Sequence, residues 1–254
     1  MSGSLIMCAE FDRIADVYDE TRPMLLEAEL GIIADTLKLR GCHSILEIGV
    51  GTGRVSKPLS KASFDMFGVD LSARMIGKAK EKGLDNLVIS DASALPFIDD
   101  AFDAAILVHV IHLLPNPAIA FAEIARTVRR NIVAVVRRPP GAPDDYEQVR
   151  RAIRSRLKGN LSHVENPWKK EAELLQSLPP LERKPFCDRT TEMTIDEVIS
   201  ILKKRAYRFT FNLTENDLNA IADEITSLMK GRTIRRRRCE DIAVWRVDRV
   251  KAVG

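Results

Sequence analysis

Little in this sequence would hold a secreted or membrane-embedded protein together. Its four cysteines, Cys8, Cys42, Cys187 and Cys239, are far apart and form no C-x-x-C pair, so they read as free thiols in a reducing compartment. No apolar run approaches the length of a membrane span, and the first residues carry no basic stretch followed by an apolar one. The expected protein is cytoplasmic, with no membrane partner. An excess of charge is nearly missing too: 39 Lys and Arg against 36 Asp and Glu leave +3 and a pI near 8.7, which alone is too weak to argue for nucleic acid. There is no internal repeat at solenoid periods. Nor does the composition favour disorder, since 45% hydrophobic and 30% charged residues are ordinary for a globular chain. The 254 residues suffice for one large α/β domain, or one with a substantial insertion.

What is present is concentrated in Ser44 to Arg54. The short apolar run Ile45 to Ile48 reads as a strand, Gly49, Gly51 and Gly53 as a tight turn, and the residues after them as a helix start. Glycines at such a turn let the backbone take positive φ and let a ligand reach the main chain. In an open parallel sheet the turn falls at a strand's carboxyl end, where the strand order reverses and ligands bind. A third glycine of the dinucleotide pattern G-x-G-x-x-G is absent: counting from Gly49, Arg54 stands in its place. Glu47, in the strand end, suits a cationic ligand better than a pyrophosphate, and S-adenosylmethionine, with a sulfonium and an ammonium and no phosphate, meets that condition. Ile45 to Gly53 resembles motif I of the class I S-adenosylmethionine-dependent methyltransferases. The small-molecule branch, of methyltransferase type 11, is the one resembled further along.

Several later segments carry the same resemblance. Phe11 to Asp19 resembles the family's F-D-x-x-A-x-x-Y-D segment, which implies that Tyr18 lies over the cofactor; a packing role is the alternative. Gly68 to Met75 resembles G-x-D-x-S-x-x-M. An acid at the end of the second strand, Asp70, can accept both ribose hydroxyls, and the resemblance puts Leu71 and Met75 beside the adenine, with helix-core packing as the alternative. Asp91 and Ala92 close the third strand, where the family's acid and following N–H read the adenine; a turn cap is the alternative for Asp91. Ala94 to Asp100 and Phe102 to Val108 continue the family pattern, with Val108 ending the fourth strand beside the cofactor. The Asp/Asn-Pro-Pro-aromatic run of nucleic-acid amino-methyltransferases is absent there. His109 and His112 stand instead, as in the small-molecule branch, which implies a place near methyl transfer as general bases or as loop-orienting groups. No third ligand nearby makes the pair a metal site.

The resemblance implies a Rossmann-like, doubly wound, seven-stranded sheet with its last strand antiparallel and a mostly helical lid after strand 5. Residues 1–43 are expected as helices covering the cofactor, with Met24 to Leu39 one long helix. Residues 44–138 form the S-adenosylmethionine-binding core, 139–190 a substrate-selecting lid, and 191–254 closing helices and an edge strand. Pro117 to Arg130 reads as a helix, Asn131 to Val136 as strand 5, and Asp241 to Asp248 as the last strand. The run Arg235 to Arg238 is either a solvated loop or, with Arg137, Arg138 and the basic helix at 144–158, a positive rim for an anionic acceptor or RNA. The function expected is methyl transfer to a small-molecule acceptor. A nicotinamide-dependent oxidoreductase and a non-catalytic cofactor-sensing or RNA-binding protein on the same fold are the alternatives. Acceptor identity and oligomeric state stay open.

Overall fold

The structure, a computed structural model, describes residues 3–23, 25–138, 145–156, 169–205, 210 and 213–252. Its elements run α1 (Gly3–Ile14), α2 (Tyr18–Thr21), α3 (Glu27–Lys38), β1 (Ser44–Ile48), α4 (Ser56–Lys61), β2 (Asp65–Asp70), α5 (Ala73–Glu81), β3 (Leu87–Ile89) and β4 (Phe102–Val108). After a 3-10 turn at Ile111–Leu113 come α6 (Pro117–Thr127), β5 (Val128–Arg137), α7 (Tyr146–Arg156) and α8 (Lys169–Ser177). The chain then forms β6 (Glu182–Met193), α9 (Ile195–Lys203), α10 (Glu215–Leu228), β7 (Ile234–Arg246) and α11 (Val247–Lys251). Seven strands make one sheet in the order β3-β2-β1-β4-β5-β7-β6. β1 pairs in parallel with both β2 and β4, and β7 runs antiparallel to β5. The order reverses at β1, so the glycine turn sits at the switch point of the sheet.

Burial explains the strand sequences. β1 carries Ile45, Leu46 and Ile48 at full burial because helices cover both faces of a parallel sheet, which calls for continuous apolar runs. The main core gathers residues of β1, β4, β5 and α6 around Phe121 and Trp245, whose rings meet edge to face at 5.2 Å. The Trp245 indole N–H donates to the Leu178 carbonyl at 2.8 Å, so its polar atom is satisfied inside the core. Two compact units share the chain. One holds Met1–Arg137, Trp168–Phe186 and Glu240–Gly254, the other Arg138–Pro167 and Cys187–Cys239. The second unit has its own core, in which Tyr146, Val149 and Ile153 of α7 pack with Leu218, Ile221 and Ile225 of α10. Thr194 caps α9 reciprocally with Glu197, as the spacing predicts. All four cysteines are free thiols, and burial pushes Cys42 up to about 11.

Several boundaries differ from the sequence expectations. Val128, expected at the end of α6, opens β5 and pairs with Phe102; a β-branched residue between two buried partners gains more in the sheet than in a last helical turn. The apolar spacing from Phe11 to Tyr18 is interrupted, with α1 ending at Ile14 and α2 starting at Tyr18. The helix expected from Met24 begins at Glu27, where Glu29 Oε2 accepts from the Leu26 N–H at 3.0 Å and closes the first turn. Met24, the Pro-rich break at 139–143, the end of the basic helix at 157–158 and most of 209–213 lie outside the described residues. The last strand is not the edge strand: β7 lies between β5 and β6. β6 begins inside the stretch expected to be a helical lid. Its charged residues and Pro185 conceal a strand period, and an edge position tolerates both. The arginine run is part of β7 rather than a loop. Arg235 pairs with Asp145 at 3.0 Å, Arg237 with Asp188 at 3.0 Å, and Arg236 lies 4.9 Å from the Tyr146 ring centroid.

Candidate cofactor and acceptor site

The turn after β1 is held from below by β2. The N–H groups of Gly49 and Val50 both donate to the Val69 carbonyl, at 2.8 and 2.9 Å. The Gly51 N–H donates to Asp70 Oδ2 at 2.9 Å, and the Ser72 N–H to Asp70 Oδ1 at 2.9 Å. Asp70 therefore ties the glycine turn to the start of α5 as well as standing at the strand end. Burial pushes its carboxyl upward while the two N–H donors pull it back. The glycines divide into two kinds. A Cβ on Gly53 (φ +78°) would sit 2.5 Å from Leu84 Cδ1 and 3.4 Å from Ala79 Cβ, so this glycine lets α5 pack against the turn. A Cβ on Gly51 (φ +55°) would meet nothing nearer than the Gly49 carbonyl at 4.0 Å. Gly51 faces open space, on the side where a ligand would approach.

Other expected cofactor residues fall into different surroundings. Glu47 is 2% exposed and accepts a hydrogen bond from the Ser56 hydroxyl. Burial lifts its carboxyl to about 8, with Ser56 pulling the other way and Asp70 adding to the rise. At neutral pH it carries a proton rather than the charge expected to face a cationic ligand. Met75 is 1% exposed and packs in the core under α5. Asp91 Oδ1 accepts from the Ser93 N–H at 2.9 Å and the Ser93 hydroxyl at 2.7 Å, a turn-cap arrangement, with Ala92 buried beside it. Leu71 and Val108 are half-buried at the ends of β2 and β4. Tyr18 is half-buried, its ring 6.4 Å from that of Phe11 and 4.9 Å from the Arg22 guanidinium.

The N-terminal helices are anchored to the same strand ends. Cys8 Sγ donates to the Leu71 carbonyl at 3.0 Å, Asp12 accepts from the Ser72 hydroxyl at 2.5 Å, and Asp19 accepts from the Thr52 hydroxyl at 2.5 Å. Asp19 also pairs with Lys82.

The Glu47 carboxyl gives a sign that can be checked. Its folded value lies above the ordinary one near 4.3, so the folded protein keeps a proton that the unfolded chain releases. Stability is therefore lost as pH rises from about 4.5 to about 8. Glu171, pushed up to about 7 by burial, adds a loss of the same sign over a shorter window. Glu47→Gln removes the first contribution, on the order of a few kcal/mol at pH 8. Urea unfolding between pH 5 and 8 should show a flatter profile for the variant; parallel profiles would mean that Glu47 is ionised in the folded state.

At the end of β4 the two histidines part company. His109 takes φ +58°, a left-handed conformation uncommon outside glycine, and its side chain is 41% exposed. Its Nε2 lies 3.0 Å from Glu240 Oε1 at the end of the β5-facing part of β7. His112, in the 3-10 turn, has Nδ1 enclosed, and burial with the nearby His109, Arg137 and Arg22 lowers its pKa to about 3. It is neutral at pH 7 and a poor proton acceptor. Glu171 on α8 is 3% exposed, and its Oε1 accepts from the Arg137 N–H at 2.5 Å. His109 and Glu240 both act electrostatically on Glu171.

A family profile described as a methyltransferase domain matches residues 46–136, the span from β1 to β5 just described. Over that span the chain is similar to methyltransferase domains. It is 30% identical over 129 residues to the demethylmenaquinone methyltransferase of Renibacterium salmoninarum, covering 48% of this chain and 54% of that one. Identity reaches 34% over 127 residues with the phosphatidylethanolamine N-methyltransferase of Cereibacter sphaeroides, covering 47% and 62%. The chain thus spans little more than half the length of these curated relatives. Among solved structures, the YcgJ protein of Bacillus subtilis shares the fold at a TM-score of 0.53 and 22% identity, over 85% of this chain and 96% of that one.

At these strand ends the motif residues Gly51 and Asp70 come together, and His109 stands at the neighbouring strand end. Glu240 and Glu171 were not singled out by the sequence. Glu240 lies 131 residues from His109 and precedes an unremarkable strand pattern, and Glu171 sits in a short helix among other charged residues. No local signal distinguishes either. Among the described residues, no group of three or more His, Cys, Asp or Glu is arranged to hold a metal ion.

Proposed function

We propose that this methyltransferase binds S-adenosylmethionine at the β1–β2 strand ends and transfers its methyl group to a small-molecule acceptor near His109. The observation that carries the reading is the open face of Gly51 beside Asp70 at the switch point, where backbone and a carboxylate lie together. Those residues fit an adenosyl ligand: Asp70 would hold the ribose hydroxyls, Gly51 would admit the ligand to the main chain, and Asp91 with the Ala92 N–H would read the adenine. Tyr18 and Leu71 would lie along it, and Val108 beside its methyl end. The bound cofactor supplies a methyl carbon already activated by a sulfonium, so the chain's own work is to align the acceptor and exclude water. His112 stays neutral and enclosed, so His109, whose ring reaches solvent, is the histidine proposed to face the acceptor.

The named relatives act on demethylmenaquinone and phosphatidylethanolamine, and a small-molecule acceptor is proposed on that ground. An anionic acceptor or RNA, expected from Arg235 to Arg238, finds no support, because Arg235 and Arg237 are paired with carboxylates and Arg236 is stacked on Tyr146. A substrate-selecting role for residues 139–190, of which 139–144 and 157–168 lie outside the described residues, is part of the same proposal.

Thermal unfolding with S-adenosylmethionine, S-adenosylhomocysteine, NADH and NADPH tests the cofactor. The two adenosyl-sulfur ligands should raise the midpoint, and the nicotinamides should not; a shift by a nicotinamide alone would replace this reading with an oxidoreductase. Transfer of label from methyl-tritiated S-adenosylmethionine to reduced demethylmenaquinone or to phosphatidylethanolamine vesicles then separates two acceptor chemistries.

A further inference from the structure

The proposed reaction leaves one constellation unexplained. His109 is held in a left-handed backbone conformation at the end of β4, with Glu240 of β7 at 3.0 Å from its Nε2. Backbone strain of this kind persists only where the surroundings impose it. The Glu240 side chain is 13% exposed, so its bond to His109 is shielded, while the histidine ring itself reaches solvent. A carboxylate can only accept, which makes Nε2 the protonated nitrogen and leaves Nδ1 with a bare lone pair.

We propose that Glu240 is the positioning residue that fixes His109 in the Nε2–H form, so that Nδ1 serves as general base for an acceptor that must give up a proton. This rests on the methyl-transfer reading given above and narrows its substrate class to hydroxyl, enol or ammonium acceptors. In the step, the acceptor's X–H bond breaks, the proton goes to Nδ1, and the electron pair left on X forms the bond to the methyl carbon. The pair of the breaking carbon–sulfur bond stays on the donor's sulfur. The imidazolium so formed is stabilised by Glu240 through Nε2–H, while the positive Arg137 faces the cluster from β5 and His112 stays neutral.

The test is made on the whole protein without cofactor. Long-range proton–nitrogen NMR of the histidine rings reads the tautomer directly, with the His109 signals identified by their loss in His109→Gln. Wild type should show one protonated and one bare nitrogen, with Nε2 protonated. Glu240→Gln, whose amide can both donate and accept, should lose the single-tautomer pattern, and Glu240→Asp should regain part of it. A wild-type ring in the Nδ1–H form, or a pattern unchanged in Glu240→Gln, would overturn the proposal. The S-adenosylmethionine-induced rise in unfolding temperature, measured on the same variants, is expected to persist. Its absence from wild type as well would count against the methyl-transfer reading alone, since the tautomer is read without cofactor.

Discussion

Gly53→Ala is expected to destabilise the fold by about 2–4 kcal/mol, whereas Gly51→Ala folds and no longer binds S-adenosylmethionine. Both positions have positive φ, which costs a residue with a Cβ about 1–2 kcal/mol. They differ in what the new atom meets. At Gly53 it lands 2.5 Å from Leu84 Cδ1, a buried side chain, with Ala79 Cβ at 3.4 Å and Ala79 Cα at 3.6 Å behind it. Relief requires α5 or Leu84 to move, and overpacking of this kind costs about 1–3 kcal/mol. At Gly51 the nearest atom is 4.0 Å away, so the added methyl enters the space proposed for the ligand. Denaturant midpoints should separate the two variants by stability, and calorimetric titration with S-adenosylmethionine should separate them by binding. Equal stabilities would show that α5 yields easily. Undiminished binding by Gly51→Ala would place the ligand elsewhere.

Asp70→Ala has two expected effects, and their separation identifies the role of the carboxylate. Loss of an acceptor for the Gly51 and Ser72 N–H groups removes two hydrogen bonds to a charged group, each worth about 1.5–3 kcal/mol. The ligand-free variant should therefore unfold earlier. Wild type at a hundred times the dissociation constant should gain about 2.7 kcal/mol from S-adenosylmethionine, and the variant should gain nothing at the same concentration. A variant that starts lower yet shows the full ligand-induced rise would make Asp70 a brace for the turn and nothing more. Asp70→Asn sharpens the comparison, because its amide keeps one acceptor and turns a donor toward one of the two N–H groups.

The proposed cofactor half of the site is legible because it is local. Glu47, Gly49, Gly51 and Gly53 lie within one turn, Asp70 ends the next strand, and strand, turn and helix periods are read from neighbouring residues. What such reading cannot tell is which side of a short segment is covered. Glu47 and Met75 belong to the family pattern, yet both are sealed in the core. β6 was unreadable for a related reason, since an edge strand needs no buried period and can carry Pro185 and charges. The four arginines at 235–238 read as a basic loop because Asp145, Asp188 and Tyr146, which engage them, lie far away in sequence.

The sequence by itself determined the parallel α/β architecture, the position of the glycine turn at the strand end, and Asp70 and His109 as the polar groups flanking it. The architecture and the turn follow from hydrophobic period and from glycine's freedom at positive φ, both of which act over a few residues, whereas Asp70 and His109 were picked out by the family resemblance. Only the tertiary structure decided that β7 lies inside the sheet, that Glu47 is neutral and His112 a poor base, and that Glu240 and Glu171 stand around His109. Burial and charge are properties of what surrounds a side chain in space, and Glu240 reaches His109 from a strand 131 residues away in the chain.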